Sequence, residues 1–273
     1  MNDNFQKNII NDQPIGFFDS GVGGLTVLDK VKNILPNEKF IYFGDTLNMP
    51  YGEKSSDQLI EFAKRIFDFY ESKSVKAVVM ACNTTSAIVY EKLKNEYSFK
   101  IYPIIQSVSK VIASMQLDSI GIFATPATIN SHCYSRELNK YSNARVIEIS
   151  CPKWVKLVEN SLITTEECKL ALKEKLDEMM QYNPQKIVLG CTHYPYLKDE
   201  LSKLLPNMEF IDPAIYFAEF IKNDLFLNGI QNKSNRTYPP EFYVSSDPDK
   251  FKIVGNMFYD FKDSKVSLVK FSV

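Results

Sequence analysis

The sequence has few of the residues that build metal centres and disulfide frameworks. Its 273 residues include two histidines and five cysteines, and no two cysteines have the C-x-x-C spacing. Structural zinc sites use four cysteine or histidine ligands at short, regular spacings, so no metal is expected here. An odd number of cysteines, in a chain whose first residues do not resemble a signal peptide, favours free thiols over disulfides.

An excess of charge and a long apolar run are also missing. The net charge is −1, which gives no electrostatic attraction to nucleic acid or to an anionic membrane surface. No apolar run approaches the roughly 18–20 residues that span a bilayer. We therefore expect a soluble, cytoplasmic globular protein with a small-molecule partner, and neither nucleic acid nor membrane as partners.

Short apolar strands alternate with helical patterns along the chain. The first strand, near residues 15–18, is followed by a glycine-rich turn and a helical pattern, and further strands are expected near 40–43, 77–80, 120–124, 146–150 and 186–189. Apolar strands that alternate with helices predict an α/β fold with doubly wound parallel sheets. The pairs Ser55 with Gln58 and Thr164 with Glu167 predict the starts of two helices.

The glycine-rich turn does not favour a dinucleotide. Its glycines, Gly21 and Gly23, are followed by Thr26 where the G-x-G-x-x-G fingerprint has its third glycine. A lone, incomplete fingerprint is weak support for a nucleotide, and no cofactor is expected.

The second half of the chain repeats the first. The strand that begins at Ile15 matches the one at Ile120 at an offset of 105, and the next pair of strands matches at 106. Cys82 and Cys191, each at the end of a short apolar strand, are 109 residues apart. A nearly constant offset predicts an internal duplication and two domains related by a pseudo-two-fold axis. We predict a first domain of residues 1–103 plus 214–273 and a second of residues 104–213, with the active site in the cleft between them.

The two duplicated cysteines are the candidate chemical groups. Ligands of doubly wound sheets bind beyond the carboxyl ends of the strands, and a helix N-terminus at that place stabilises a thiolate. A substrate carbon held between two thiols loses a proton to one and regains it from the other, which inverts a stereocentre without a cofactor. A single cysteine there is more often a small buried hydrophobe, but two at equivalent positions argue against that interpretation. A structural role is expected for the remaining cysteines and for a histidine placed in a predicted helix, namely Cys133, Cys151, Cys168 and His132.

Four segments of the chain carry a family resemblance. IGFFDSGVGGLTVL, FGDT with PYG, ACNTTSA and LGCTHYPYL resemble the signature segments of the glutamate racemase family, in the family's order. The resemblance implies a cofactor-independent isomerase that interconverts L- and D-glutamate and supplies D-glutamate for peptidoglycan synthesis. Members of the family are often homodimers.

The resemblance also implies roles for individual residues. Cys82 and Cys191 become the acid/base residues, usually assigned to the D- and L-enantiomers respectively. Asp19 and His193 become auxiliary residues that help to set thiol ionisation, and Glu159 resembles a further auxiliary position. The implied substrate contacts are Asp19, Ser20, Tyr51, Gly52, Asn83, Thr84, Thr125, Thr192 and His193.

Two positions depart from the family pattern, and three other functions stay open. Asn48 stands where the family commonly has arginine, and Ala124 stands where it commonly has glycine.

The alternatives are a two-thiol racemase of aspartate or another acidic amino acid, an amide hydrolase with one nucleophilic cysteine, and a non-catalytic binding protein on the same scaffold.

Overall fold

The first parallel sheet is built around the strand that begins at Ile15. The computed structural model describes residues 11–257, 259–262 and 264–271. Its strands here are β1 (Ile15–Asp19), β2 (Phe40–Gly44), β3 (Ala77–Met80), β4 (Lys100–Pro103), β9 (Glu241–Val244) and β10 (Val266–Leu268). They lie side by side in the order β10-β9-β2-β1-β3-β4, and every pair is parallel. All residues of β1, β2 and β3 are buried, as expected for strands covered on both faces.

A second parallel sheet repeats the arrangement. Its strands are β5 (Ser119–Ala124), β6 (Arg145–Ser150), β7 (Lys186–Gly190) and β8 (Glu209–Ile211), in the order β6-β5-β7-β8. This order corresponds to β2-β1-β3-β4 of the first sheet. The prediction of two α/β units with parallel sheets is confirmed.

The pairing register repeats as well. In the first sheet Ile15 pairs with Phe40 and with Ala77. In the second sheet Ile120 pairs with Val146 and with Lys186. These partners keep the offsets of 105, 106 and 109 found in the sequence, so the duplication extends to individual backbone pairs. The domain boundaries at residues 103 and 213 stay a prediction.

Helices connect the strands and cover the sheets. In the first half they are α1 (Leu25–Ile34), α2 (Ser56–Ser72), α3 (Asn83–Ile88), α4 (Tyr90–Leu93) and α5 (Ile104–Ala113). In the second half they are α6 (Pro126–Asn130), α7 (Cys133–Leu138), α8 (Trp154–Glu159), α9 (Glu166–Met180) and α10 (Lys198–Leu204). The last two are α11 (Pro213–Leu227) and α12 (Pro248–Gly255), and 3-10 turns cover Tyr51–Glu53 and Tyr194–Leu197. No helix in these described ranges is long and apolar enough to cross a membrane.

One predicted helix start is confirmed and one is wrong. Ser55 and Gln58 form the predicted capping box of α2. For α9 the capping residue is Thr165, whose hydroxyl accepts from the backbone N–H of Cys168, and not Thr164. His132 is also not inside a helix: it lies between α6 and α7 with φ of 49°, and its exposed ring contacts Glu148.

The two halves share one apolar core. Helix α11 packs against α1 and α5, and its Phe217 and Ile221 join a cluster that includes Leu28 of α1, Ile105 of α5 and Ile122 of β5. Each fully buried side chain of this size stabilises the fold by about 1.5–3 kcal/mol relative to exposure. This shared cluster fixes the two sheets relative to each other, so the carboxyl ends of β1, β3, β5 and β7 border one space.

Candidate active site

A small cavity lies where the carboxyl ends of the two sheets meet. Both halves line it. The lining residues named by the sequence prediction are Ser20, Tyr51, Gly52, Cys82, Asn83, Thr84, Thr125, Cys191, Thr192 and His193. The space left between the side chains is about 30 Å³, where one water needs roughly 10–15 Å³ by the same measure. The cavity is therefore nearly closed, and an amino acid enters only if its walls separate.

Cys82 enters the cavity from the first half. It is the N-cap residue of α3, and its carbonyl accepts from the Thr85 hydroxyl at 2.9 Å and from the Ser86 N–H at 3.0 Å. Only 5% of the residue is exposed. Burial, with the nearby Asp19 carboxylate, raises the pKa of the Cys82 thiol to about 12. In this closed arrangement Cys82 is a neutral thiol at pH 7.

Cys191 enters from the second half with a histidine behind it. Its Sγ lies 3.8 Å from Nδ1 of His193, and Nε2 of the same ring lies 2.6 Å from Oε1 of Glu159. Burial opposes a charge on His193, but the contacts with Cys191 and Glu159 outweigh it and raise the pKa of the imidazole well above its ordinary value. A protonated imidazole between these two groups stabilises negative charge on both, and a thiolate is the reactive form of cysteine.

Asp19 lies behind the lining and connects the halves. Its Oδ1 accepts from the Gly21 N–H at 3.0 Å, and its Oδ2 accepts from the Thr192 hydroxyl at 3.1 Å. Burial raises the pKa of Asp19, and the opposing influences of His193 and these hydrogen bonds are smaller. Asp19 therefore contacts a cavity-lining threonine and acts electrostatically on Cys82 without lining the cavity itself.

The glycine-rich turn is shaped by the contact with the second half. A Cβ on Gly23 would lie 2.4 Å from Oγ1 of Thr192 and 2.5 Å from Nδ1 of His193. Real Cβ atoms do not approach this closely, so glycine is required at this position. The absence of a side chain at Gly23 lets the backbone of this turn approach the Cys191 loop.

Hydroxyl and amide groups close another wall. Thr84 Oγ1 lies 3.0 Å from Thr125 Oγ1, and Thr125 Oγ1 lies 3.0 Å from Thr128 Oγ1. The Tyr134 hydroxyl donates to Oδ1 of Asn83 at 2.7 Å. The contacts of Thr84 with Thr125 and of Tyr134 with Asn83 join the two halves, and the Asn83 amide N–H₂ remains as a donor for a ligand.

Tyr51 and Gly52 come from the loop after β2. The Tyr51 hydroxyl donates to Oδ2 of Asp45 at 2.5 Å. A Cβ on Gly52 would lie 2.8 Å from Cβ of Thr125, so this loop presses on the second half. Asn48, one of the two departures, donates through Nδ2 to both carboxylate oxygens of Asp45 at 3.1 and 2.9 Å.

Ala124, the other departure, fits without a clash. It is fully buried and pairs with Gly190 on the neighbouring strand. Because Gly190 has no side chain, its strand leaves room for the methyl group of Ala124, 3.3 Å from where a Cβ of Gly190 would lie.

The cavity also includes residues that were not predicted to belong to the site. Cys151 lines it, and burial raises the pKa of this thiol well above its ordinary value. Its position, 106 residues after Asp45, was a signal in the duplication. Lys156 and Glu53 form a 2.8 Å ion pair across the mouth, and no sequence pattern indicates it. Among the described residues, no group of three or more histidine, cysteine, aspartate or glutamate side chains is arranged to hold a metal.

Comparisons with known proteins agree on one family. Residues 29–221 match the family described as Asp/Glu/hydantoin racemase. The chain is 35% identical to the glutamate racemase of Carboxydothermus hydrogenoformans over 95% of this chain and 97% of that one. It is 39% identical to the glutamate racemase of a Nostoc species over 89% of this chain and 83% of that one.

A solved structure is similar over nearly the whole chain. It is the crystal structure of glutamate racemase from Francisella tularensis in complex with D-glutamate. The two share 35% identity with a TM-score of 0.89, over 95% of this chain and 98% of that one.

Proposed function

Since the chain belongs to the Asp/Glu/hydantoin racemase family and has glutamate racemases as relatives over most of its length, we propose that it interconverts L- and D-glutamate. Cys82 and Cys191 are the two acid/base residues. The observation that supports this most directly is that these thiols, from equivalent strand ends of a duplicated fold, line one cavity.

The neutral thiol of Cys82 and the raised pKa of His193 beside Cys191 fit reaction from L-glutamate. Cys191, as the thiolate beside the His193 imidazolium, removes the α-proton, and the electron pair of the broken C–H bond stays on the α-carbon and its carboxylate. Cys82, as the neutral thiol, donates its proton to the opposite face of the carbon. D-glutamate leaves with Cys82 as thiolate and Cys191 as thiol, which is the state that accepts D-glutamate.

Neutral donors hold the two carboxylates of the substrate. Hydroxyls of Ser20, Thr84, Thr125 and Thr192, the amide of Asn83 and the backbone of Tyr51 and Gly52 surround the cavity. Asp19, His193 and Glu159 act as auxiliary groups that set the charge of the thiols. No cofactor enters this scheme.

The proposed setting is the bacterial cytoplasm, where D-glutamate is used for peptidoglycan, and the proposed assembly is a homodimer. Both follow from the family resemblance. Light scattering coupled to size exclusion tests the assembly, since a mass equal to the 31.3 kDa monomer at all concentrations would overturn it.

The test of function is racemisation in D₂O without added cofactor. We expect L- and D-glutamate each to lose optical activity and to gain α-deuterium. Cys82→Ala and Cys191→Ala should each abolish net racemisation, while Cys168→Ala, which removes a buried thiol outside the cavity, should retain it. Full activity in either cavity variant would refute the two-base scheme. A higher kcat/KM for aspartate than for glutamate would show that aspartate, and not glutamate, is the preferred substrate.

One observation favours a second candidate. Cys191, His193 and Glu159 are arranged in series, as in the cysteine, histidine and acid sets of amide hydrolases. That chemistry needs one cysteine. Ammonia release from glutamine by Cys82→Ala, without racemisation by the unaltered protein, would support the hydrolase instead.

A further inference from the structure

The end of the tail strand β9 contacts the loop that carries Tyr51. Ser245 follows β9 directly, and its backbone N–H donates to the Gly44 carbonyl at 3.2 Å. Its hydroxyl donates to Oδ1 of Asp45 at 2.6 Å and accepts from the Leu47 N–H at 2.9 Å. A serine hydroxyl has one hydrogen to donate, so the bond to Asp45 is the one hydrogen bond that the Ser245 hydroxyl donates. Ser245 itself is not among the residues that line the cavity.

Asp45 connects Ser245 to Tyr51, which lines the cavity. The residue is 1% exposed, and its backbone N–H donates to the Asp19 carbonyl at 3.0 Å. Its carboxylate accepts from three neutral side chains, those of Ser245, Asn48 and Tyr51. A buried carboxylate that loses one such donor is left with part of its charge unsatisfied, and it moves or draws on its other donors.

Tyr51 and Gly52 form part of the cavity wall, and a movement of Asp45 would shift them through its hydrogen bond with Tyr51. The Tyr51 ring is 2% exposed and lies edge-on to Phe18 with centroids 6.1 Å apart. The next residue, Gly52, presses on Thr125 of the opposite half. The wall therefore has little freedom of its own, and its position depends on the hydrogen bonds that hold the Tyr51 hydroxyl.

We propose that Ser245 is a positioning residue for substrate binding. Its hydroxyl, through Asp45, holds Tyr51 and Gly52 in the wall of the cavity, and it does not touch the substrate. The tail strand thereby has a direct part in the site although it lies outside the duplicated halves. This inference rests on the proposed glutamate racemisation.

The kinetic test compares Ser245→Ala with a matched variant. Ser119 at the start of β5 has the same exposed fraction, 8%, and its hydroxyl donates to the Asn183 carbonyl. It lies at the amino end of its strand, opposite to the carboxyl ends that border the cavity. We expect Ser245→Ala to raise KM for both enantiomers by about tenfold with kcat changed less than about threefold, because binding in both ground and transition states is weakened. Ser119→Ala should change neither, and Ser245→Thr, which keeps the hydroxyl, should restore KM.

Two further measurements separate positioning from a general loss of stability. Hydrogen exchange of a peptide spanning residues 45–52 should be faster in Ser245→Ala, because the Leu47 N–H loses its acceptor, and unchanged in Ser119→Ala. A double-mutant cycle with Tyr51→Phe should be non-additive in KM, since both changes break the same series of contacts. If Ser245→Ala fails to fold, Ser245→Cys takes its place in all three measurements.

The outcomes decide between the two proposals. Unchanged KM in Ser245→Ala, an equal rise in Ser119→Ala, or additivity with Tyr51→Phe would overturn the role of Ser245. Absence of racemisation by the unaltered protein would overturn the proposed function alone, because the exchange of residues 45–52 still shows whether Ser245 holds the loop.

Discussion

Glu159 and His193 share a hydrogen bond of 2.6 Å directly behind the Cys191 thiol. The Glu159 side chain is 12% exposed and that of His193 is 2% exposed, so solvent screens the pair little. Hydrogen bonds to charged groups of this kind contribute about 1.5–3 kcal/mol. The hydrogen bond is therefore strong enough to favour the protonated form of the His193 imidazole beside Cys191.

Glu159→Gln should reduce activity most at alkaline pH. Removal of the carboxylate takes away one of the two contacts that raise the pKa of His193, so the imidazolium is lost at a lower pH. We expect the alkaline limb of the kcat/KM profile to move to lower pH and kcat/KM at pH 8 to fall about tenfold or more. The fall should be equal for both enantiomers, because the two have the same free energy in water.

The control for this change is Glu174→Gln, an exposed glutamate on α9 whose nearest cation is Lys175. It should leave the profile unchanged. A Glu159→Gln profile with the same alkaline limb as the unaltered enzyme would show that Glu159 does not act through His193.

The raised pKa of His193 also predicts a pH dependence of stability. A group whose pKa is higher in the folded state stabilises the fold fully below its unfolded pKa, about 6.5 for histidine, and loses this contribution as pH rises through the folded value. The unaltered protein should therefore lose stability, relative to Glu159→Gln, as pH rises above about 7. Urea unfolding at several pH values measures the difference, and a constant difference would contradict the assignment.

Lys76→Met should be the most damaging single substitution away from the site. Lys76 Nζ lies 2.6 Å from Oε2 of Glu38, donates to the carbonyls of Asn11 and Ile230, and both charged side chains are almost fully buried. Burial lowers the pKa of Lys76 and raises that of Glu38, which shows the desolvation cost of both charges. Removal of one partner leaves the other unpaired and should cost about 3–5 kcal/mol in urea unfolding.

The matched changes test that reasoning. Addition of Glu38→Gln to Lys76→Met should recover part of the loss, because the uncompensated charge is then gone. Lys173→Met, which breaks an exposed pair with Asp177, should have little effect. Equal costs for the buried and the exposed lysine would contradict the assignment.

Much of this molecule follows from local sequence patterns. Apolar runs predicted β1, β2, β3, β5, β6 and β7, and the offsets between Ile15 and Ile120 and between Cys82 and Cys191 carried over into backbone register. The short tail strand β10 was not predicted. A local pattern can also select the wrong neighbour. Thr164 has Glu167 three residues later, as a capping box requires, and Thr165 has Cys168 there, yet Thr165 is the cap.

Contacts between distant residues could not be predicted in the same way. The hydroxyl of Ser245 meets Asp45 across 200 positions, and Tyr134 meets Asn83 across 51. Each pairing is the result of how whole sheets and helices pack, and neither residue carries a distinctive motif. The near closure of the cavity has the same origin.

Lys156 should accelerate capture of the anionic substrate at low salt. Among the described residues it is the one lysine or arginine that lines the cavity, and its side chain is 60% exposed at the mouth. Lys156→Met should lower kcat/KM several-fold at about 0.01 M salt, with the difference lost near 1 M, where the screening length falls to about 3 Å. Lys153→Met, on the exposed surface just before α8, should show no such dependence. A salt-independent loss would assign Lys156 a direct contact with substrate instead.

Gly23→Ala should remove activity while leaving the fold largely intact. The added Cβ would lie 2.4 Å from Oγ1 of Thr192 and 2.5 Å from Nδ1 of His193, so the Cys191 loop must shift. The shift breaks the Thr192 hydrogen bond to Asp19 and moves the imidazolium relative to the thiol. Displacements of about 1 Å at a reacting group cost around a hundredfold in rate, and we expect kcat/KM to fall at least that far.

Gly229→Ala is the comparison, because a Cβ there meets no atom within 4 Å while φ of 66° still makes the substitution unfavourable. Gly229→Ala should lower the urea midpoint of unfolding and leave kcat/KM unchanged. Loss of activity in both variants would instead assign the effect of Gly23→Ala to lower stability and not to the position of His193.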